Sequence, residues 1–331
     1  MNIQQLSEKI FTIKSPDSFN ETALEIFRYQ IQTNSLYNKF VQYLHIKPAK
    51  VKSISQIPFL PISFFKNHIV VSQNTTPGHY FESSGTTGMS RSRHYFASLD
   101  LYEKSFFKTF DMFYGQPDEY CILALLPSYL EQKNSSLVYM IEKLIEASHH
   151  RKSGFYLNNF DELAVNLRQL DKQGQKIMLF GVSFALLDLI EKYSFDLTNT
   201  IIVETGGMKG RRREMVREEL HGRLSAGFGV RYIHSEYGMT ELFSQAWSKG
   251  NGHFSTPPWM KMIIRDIYDP LSSVTRKTAG GINIIDLANI HSCSFIATQD
   301  LGKLYDDGTI EVLGRFDDAE TRGCNLLVAG D

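Results

Sequence analysis

The chain has 331 residues, 42% hydrophobic and 21% charged, the balance of a folded globular protein and not of a disordered one. Its 35 basic and 36 acidic residues leave a formal net charge of -1, so overall charge gives no pull toward nucleic acid or an anionic membrane. The three cysteines, Cys121, Cys293 and Cys324, are too widely spaced for a CxxC zinc or redox motif, and their odd number argues against a disulfide framework.

The start, Met1-Asn2-Ile3-Gln4-Gln5, has no apolar signal core. Residues 1–60 read as amphipathic helices: Ala23, Leu24, Ile26 and Phe27 recur at helical spacing, and Tyr37, Phe40, Val41 and Leu44 repeat the pattern. Pro58, Pro61 and the pair Phe64-Phe65 close this lead. Residues 101–114 form the next predicted helix. From about 115, strands and helices alternate. The apolar run at 120–126 reads as a short buried strand, far below the roughly 20 residues a transmembrane helix needs. A helix at 137–148, a strand at 177–180, a helix at 184–193 and a strand at 200–204 follow, then a basic helix. Its run Lys209-Gly210-Arg211-Arg212-Arg213 is followed by Glu214, Glu218 and Glu219, the mixed charge of a solvated face. The alternation predicts a largely parallel, helix-covered sheet. After 250, Gly, Pro, Asn and Thr become frequent. Short runs at 262–264, 281–285, 294–297 and 309–313, the last behind the turn Asp307-Gly308, predict a more antiparallel, barrel-like β subdomain. The predicted organisation is a helical lead (1–60), an α/β core (61–250) and a β-rich part (251–331). The protein is expected to be cytoplasmic, with no transmembrane segment and no nucleic-acid partner.

Three segments stand out chemically. Ser83-Ser84-Gly85-Thr86-Thr87-Gly88 combines two glycines, which permit close backbone approach, with four hydroxyls able to bind an anion. No Lys-Ser or Lys-Thr follows at the offset of a Walker A loop. In Tyr237-Gly238-Met239-Thr240-Glu241, Thr240 can hydrogen-bond a phosphate and Glu241 is a hard oxygen ligand suited to Mg²⁺. The same five residues would also serve as an ordinary helix start. Thr298-Gln299-Asp300-Leu301-Gly302 offers a carboxylate for vicinal hydroxyls, and Gly314-Arg315-Phe316-Asp317-Asp318 an arginine fork for ribose or phosphate. Each is commonplace alone.

Their joint order resembles the adenylate-forming (acyl-CoA synthetase-like) superfamily. SSGTTG, YGMTE, TQDLG and GRFDD stand where that superfamily has its phosphate loop, adenylate motif, ribose aspartate and hinge, and Glu204-Thr205-Gly206-Gly207 looks like its adenine-lining turn. The likeness runs from about residue 60 to the end. It implies the superfamily's large domain: layered α-β sheets plus a smaller barrel-like β subdomain. A mobile C-terminal domain bearing a lysine usually follows the hinge there, and none is expected here. On that ground the chain resembles the acyl-protein synthetases (LuxE type), which hold an acyl group on a cysteine near the C-terminus, where Cys324 stands.

The resemblance implies ATP and Mg²⁺ as cofactors and a carboxylic acid, of the fatty type, as substrate. An acyl-CoA reductase-like subunit or an acyl carrier is the implied partner. Ser83, Ser84, Gly85, Thr86, Thr87 and Gly88 would hold phosphates; Gly206, Gly207, Tyr237 and Gly238 would frame the adenine; Asp300 would bind ribose and Arg315 ribose or phosphate. Thr240 and Glu241 would act at the α-phosphate and Mg²⁺, and Cys324 as the thiol acceptor, with Arg322 as a nearby cation. Arg91 or Arg93 would stand in for the lysine that usually ends the phosphate loop. His234 is a candidate wall of the acyl pocket. Two other readings carry the same motifs: an acyl- or aryl-CoA ligase similar to phenylacetate-CoA ligase, and a non-catalytic nucleotide-binding subunit.

Overall fold

The computed structural model describes residues 3–73, 76–83, 91–127, 134–206, 215–274 and 277–316. Three helices lead the chain: α1 (Ile3–Ile10), α2 (Pro16–Thr33) and α3 (Ser35–Tyr43). Ser15 and Ser18 form a capping box that starts α2, satisfying donors its first turn would leave unpaired. Phe19, Ala23, Ile26 and Phe27 then form its buried stripe. Next come β1 (Leu60–Pro61), α4 (Phe64–Asn67), the hairpin strands β2 (His79–Glu82) and β3 (Arg93–Phe96), and α5 (Asp100–Tyr114).

The expected alternation follows: β4 (Cys121–Leu125), α6 (Ser136–Ser148), β5 (Gly154–Phe155), α7 (Phe160–Lys172), β6 (Ile177–Gly181), α8 (Ser183–Lys192), β7 (Thr200–Glu204), α9 (Arg217–Phe228) and β8 (Ile233–Tyr237). With β9 (Ala246–Ser248) these strands form one sheet in the order β5-β4-β6-β7-β8-β9, parallel except for β9. Every side chain of β4 and β6 is buried, as a sheet covered on both faces demands. On β8, Ser235 meets His221 of α9 and His234 meets Tyr114 of α5, so α9 and α5 cover opposite faces.

The second sheet contains β10 (His253–Phe254), β11 (Met260–Arg265), β12 (Ala279–Asp286), β13 (Phe295–Leu304) and β14 (Ile310–Arg315), ordered β10-β14-β13-β12-β11. It is antiparallel as expected, and β1 joins it in parallel beside the first half of β13. The Asp307-Gly308 turn joins β13 to β14: the Asp307 carboxylate accepts from the Thr309 N–H at 2.9 Å, and Gly308 takes a φ of 85°. The helical lead packs on this sheet. Phe27 and Tyr37 meet Phe295, and the Gln30 amide donates to the carbonyls of Asn289 and Ile290. No described helix is long and apolar enough to cross a membrane.

Candidate active site

The carboxyl ends of β7 and β8 carry two of the predicted motifs. Open parallel sheets bind ligands at this edge, because backbone amides and loop residues gather there. At the end of β7, the buried Glu204 accepts from the Ser183 hydroxyl and the Gly206 N–H, both at 2.6 Å. Burial opposes its charge, but the hydrogen bonds of His221 and Ser183 and the charge of Arg217 hold the carboxyl below its ordinary range. Gly206 adopts a φ of 78°, which favours glycine. Gly207 lies outside the described residues.

Tyr237 ends β8. Its hydroxyl donates to Asp300 on β13 at 2.7 Å, linking the two sheets. Burial and the Asp300 charge keep the phenol well above its ordinary pKa, so its proton stays in that bond. The β13–β14 register sets Asp300 opposite Arg315, whose Nε lies 3.4 Å from the Asp300 carboxylate while the guanidinium remains largely exposed. Glu241 is buried within reach of the charges of both Asp300 and Arg315. Burial pushes its carboxyl up; the Ser92 hydroxyl and the charge of Arg315 oppose that rise, and the charge of Asp300 adds to it.

Ser92 also reaches the phosphate-loop segment. Ser83 and Ser92 pair across the hairpin: the Ser83 N–H donates to the Ser92 carbonyl at 3.0 Å, and the Ser92 N–H donates to the Ser83 hydroxyl at 2.9 Å. The base of the segment therefore abuts Glu241. Ser84, Gly85, Thr86, Thr87 and Gly88 lie outside the described residues, as does Cys324. Arg91 and Arg93 turn the other way. Strand alternation puts Ser92 and His94 inside, and both arginines outside, where each pairs with Glu82 at 2.9 Å. Neither arginine faces Glu241 in this arrangement.

Sequence reasoning missed what holds the adenylate motif. His94 lies between the Thr240 carbonyl (3.1 Å) and the Ser292 hydroxyl (2.8 Å). A carbonyl can only accept, so Nδ1 carries the proton and Nε2 accepts from Ser292. The Asn289 amide donates to the Glu241 carbonyl at 2.7 Å, and the fully buried Asp286 accepts from the N–H groups of Phe243 and Ser244. Residues 240–244, which include Thr240 and Glu241, are thus clamped from β3 and from the end of β12.

Burial pushes His94 down to about 4, and His234, which bonds the Tyr114 hydroxyl at 3.1 Å, likewise to about 4. Because both fold neutral, stability is intact above their ordinary 6.5 and drains as pH falls from 6.5 to 4. His94 alone accounts for about 3 kcal/mol of that loss. Urea midpoints at pH 7, 5 and 4 should fall steeply, and less steeply in His94→Gln; identical slopes in the two proteins would contradict this account.

Neither described cysteine is a ready nucleophile. Burial pushes the Cys121 thiol up to about 11 and that of Cys293 up to about 12. For Mg²⁺, the described residues contain no cluster of three or more His, Cys, Asp or Glu able to form a cage. Mg²⁺ takes one or two carboxylates and draws its remaining oxygens from substrate phosphates and water. Glu241 fits that role.

The family model for the acyl-protein synthetase LuxE matches residues 12–330. No curated protein sequence matches the chain. Among solved structures, 2-hydroxyisobutyryl-CoA ligase with 2-HIB-AMP and CoA in the thioesterification state superposes with a TM-score of 0.67 at 12% identity, covering 92% of this chain and 70% of that one. Its open conformation gives 0.64 at 12% identity, with 92% and 72% covered. ATP-bound MatB from Rhodopseudomonas palustris gives 0.53 at 18% identity, and the match covers 71% of this chain but only 47% of the MatB chain. At such identities the structures establish the fold, that of adenylate-forming ligases. With the family model spanning nearly its whole length, the chain belongs to the LuxE acyl-protein synthetase family.

Proposed function

We propose that this protein activates a carboxylic acid, of the fatty type, with ATP to give acyl-AMP and pyrophosphate, then passes the acyl group to a protein thiol. The convergence of Glu241, Asp300, Arg315 and Tyr237 on one crevice at the carboxyl ends of the parallel strands carries this reading. A substrate carboxylate oxygen attacks the α-phosphorus as its bond to the pyrophosphate oxygen breaks. The protein's contribution is positioning and charge stabilisation. Asp300 binds the ribose hydroxyls, with Tyr237 fixing the carboxylate. Gly206 and Gly238 let the base lie close to the backbone, with Gly207. Arg315 contacts ribose or phosphate, and Thr240 the α-phosphate. Ser83 to Gly88 hold the phosphates. Mg²⁺, when bound at Glu241, offsets phosphate charge.

Cys324 is the candidate acceptor, since burial disarms the other two thiols. Its thiolate attacks the acyl carbonyl and AMP leaves. An acyl-CoA reductase-like subunit or an acyl carrier is the onward partner. Acid-dependent exchange of labelled pyrophosphate into ATP, run over acids from acetate to palmitate and phenylacetate, tests the first step. Nucleotide binding without exchange for every acid would overturn it and favour a non-catalytic subunit. Labelled acyl-protein lost in Cys324→Ala tests the second; CoA-dependent turnover that survives in that variant would favour a CoA ligase.

A further inference from the structure

Glu236 has no task in the chemistry above. It stands one residue before Tyr237 on β8 and, by strand alternation, faces the α5 side of the sheet with His234, away from Glu204 and Ser235. Its carboxyl curls over Gly238: Oε1 lies too near to leave room for a Cβ at that position. The Gln245 side chain closes in on the same spot, its Cγ 3.3 Å from it, and the buried Gln245 Oε1 has no hydrogen-bond partner among the described residues. Among the described residues no donor reaches the Glu236 carboxyl. The Tyr102 hydroxyl, from α5, spends its proton on the Ser136 carbonyl at 2.8 Å. The half-buried Glu236 carboxyl and the buried, unpartnered Gln245 Oε1 thus meet over a glycine that leaves them room, beside the motif assigned to the α-phosphate. A buried polar atom left without a partner, as the Gln245 Oε1 is, calls for a physical explanation, and a bound ligand supplies one.

We propose that Glu236 binds the acid substrate, its carboxyl group hydrogen-bonding the substrate carboxylate over Gly238 and directing it at the α-phosphate. The inference rests on the adenylation reading. The titratable groups around Glu236 are Tyr102 from α5, His234 on the same face of β8 with its partner Tyr114, and Glu204 on β7, whose charge reaches Glu236 although its side chain lies on the other face. Tyr102, Tyr114 and His234 are all uncharged at neutral pH. Burial first, then the Glu204 charge, push Glu236 up to about 8, so near neutrality it is a carboxylic acid with a proton to donate. An ionised Glu236 would repel the substrate. A half-turn of the Gln245 amide offers an N–H to the second carboxylate oxygen. No proton is transferred during adenylation: the O–H stays on Glu236. The same O–H then faces the acyl carbonyl oxygen, where negative charge grows as a thiolate attacks.

The test is kcat/KM for the best acid of the exchange panel, measured from pH 6 to 9.5 in the full chain and in Glu236→Gln and Glu236→Ala. In the unsubstituted chain it should fall as pH rises through about 8. Glutamine keeps a donor but cannot ionise, so its profile should lose that fall. Alanine should raise the KM of the acid about tenfold or more, with the KM of ATP unchanged as the control for folding. An alkaline fall that persists in the glutamine variant, or an acid KM unmoved by alanine, would overturn the inference while leaving adenylation intact. Absence of exchange in the unsubstituted chain would overturn both.

Discussion

Asp286→Ala is expected to cost roughly 3–5 kcal/mol of stability, one of the largest losses available to a single substitution here. Its carboxylate, fully buried at the end of β12, accepts four hydrogen bonds: from the N–H of Phe243 and of Ser244 at 2.8 Å each, the Ser244 hydroxyl at 2.6 Å and the Ala288 N–H at 3.1 Å. Alanine would strand the N–H groups of Ser244 and Ala288 in a site closed to water, and leave the Phe243 N–H only Asn289 and the Ser244 hydroxyl only Ser105. Urea denaturation measures the loss. The same clamp fixes residues 243–244, two positions beyond Glu241, so exchange activity should fall further than stability explains. At a temperature where the variant stays folded, kcat should drop with little change in the KM of ATP, because Asp286 touches no part of the nucleotide site directly. Asp286→Asn keeps the shape but sets an NH₂ against N–H donors, and should lie between. A stability loss below about 1 kcal/mol would show that these bonds are exchanged for water without penalty, contrary to their burial.

That clamp was illegible in the sequence for a physical reason. His94, Asp286, Asn289 and Ser292 come from two segments nearly two hundred positions apart, and each alone is an ordinary polar residue. Only the fold brings them around residues 240–244. The proposed nucleotide motifs are read from residue type and order alone, because a chain that held a nucleotide would need glycines, hydroxyls and carboxylates in a fixed order. The parallel strands were legible as well, since burial on both faces leaves an unbroken apolar run such as 121–125. Helix α7 escaped notice: only Leu163, Ala164 and Leu167 form its buried apolar stripe, amid charged and polar neighbours. So did the hairpin of β2 and β3, four residues per strand with an outward face of Tyr80, Glu82 and Arg93. Missing it misdirected Arg91 and Arg93. They look like phosphate-binding cations when counted along the chain, and alternation from Ser92 turns them outward.

Asp300→Ala is expected to raise the KM of ATP by about 10- to 100-fold, equivalent to ~1.4–2.7 kcal/mol, with a smaller change in kcat. The aspartate is held from beneath: the Thr298 hydroxyl accepts from the Asp300 N–H at 3.1 Å and donates to the Ile282 carbonyl at 2.8 Å, while Arg265 bonds the Thr298 carbonyl at 2.6 Å. Its carboxylate then faces the crevice with Tyr237 on one oxygen and Arg315 near the other. Removing it deletes the proposed ribose acceptor, strands the Tyr237 hydroxyl and frees Arg315. Tyr237→Phe loses only the bond that orients the carboxylate, so its effect on the KM of ATP should be smaller, about 1 kcal/mol. Because the two side chains share one hydrogen bond, the double variant should be less impaired than the sum of the singles. Nucleotide titration of the folded variants gives the readout, with the KM of the acid as the internal control. If Asp300→Ala binds ATP as tightly as the unsubstituted chain, the ribose does not sit here, and Tyr237, Asp300 and Arg315 merely fasten the two sheets together.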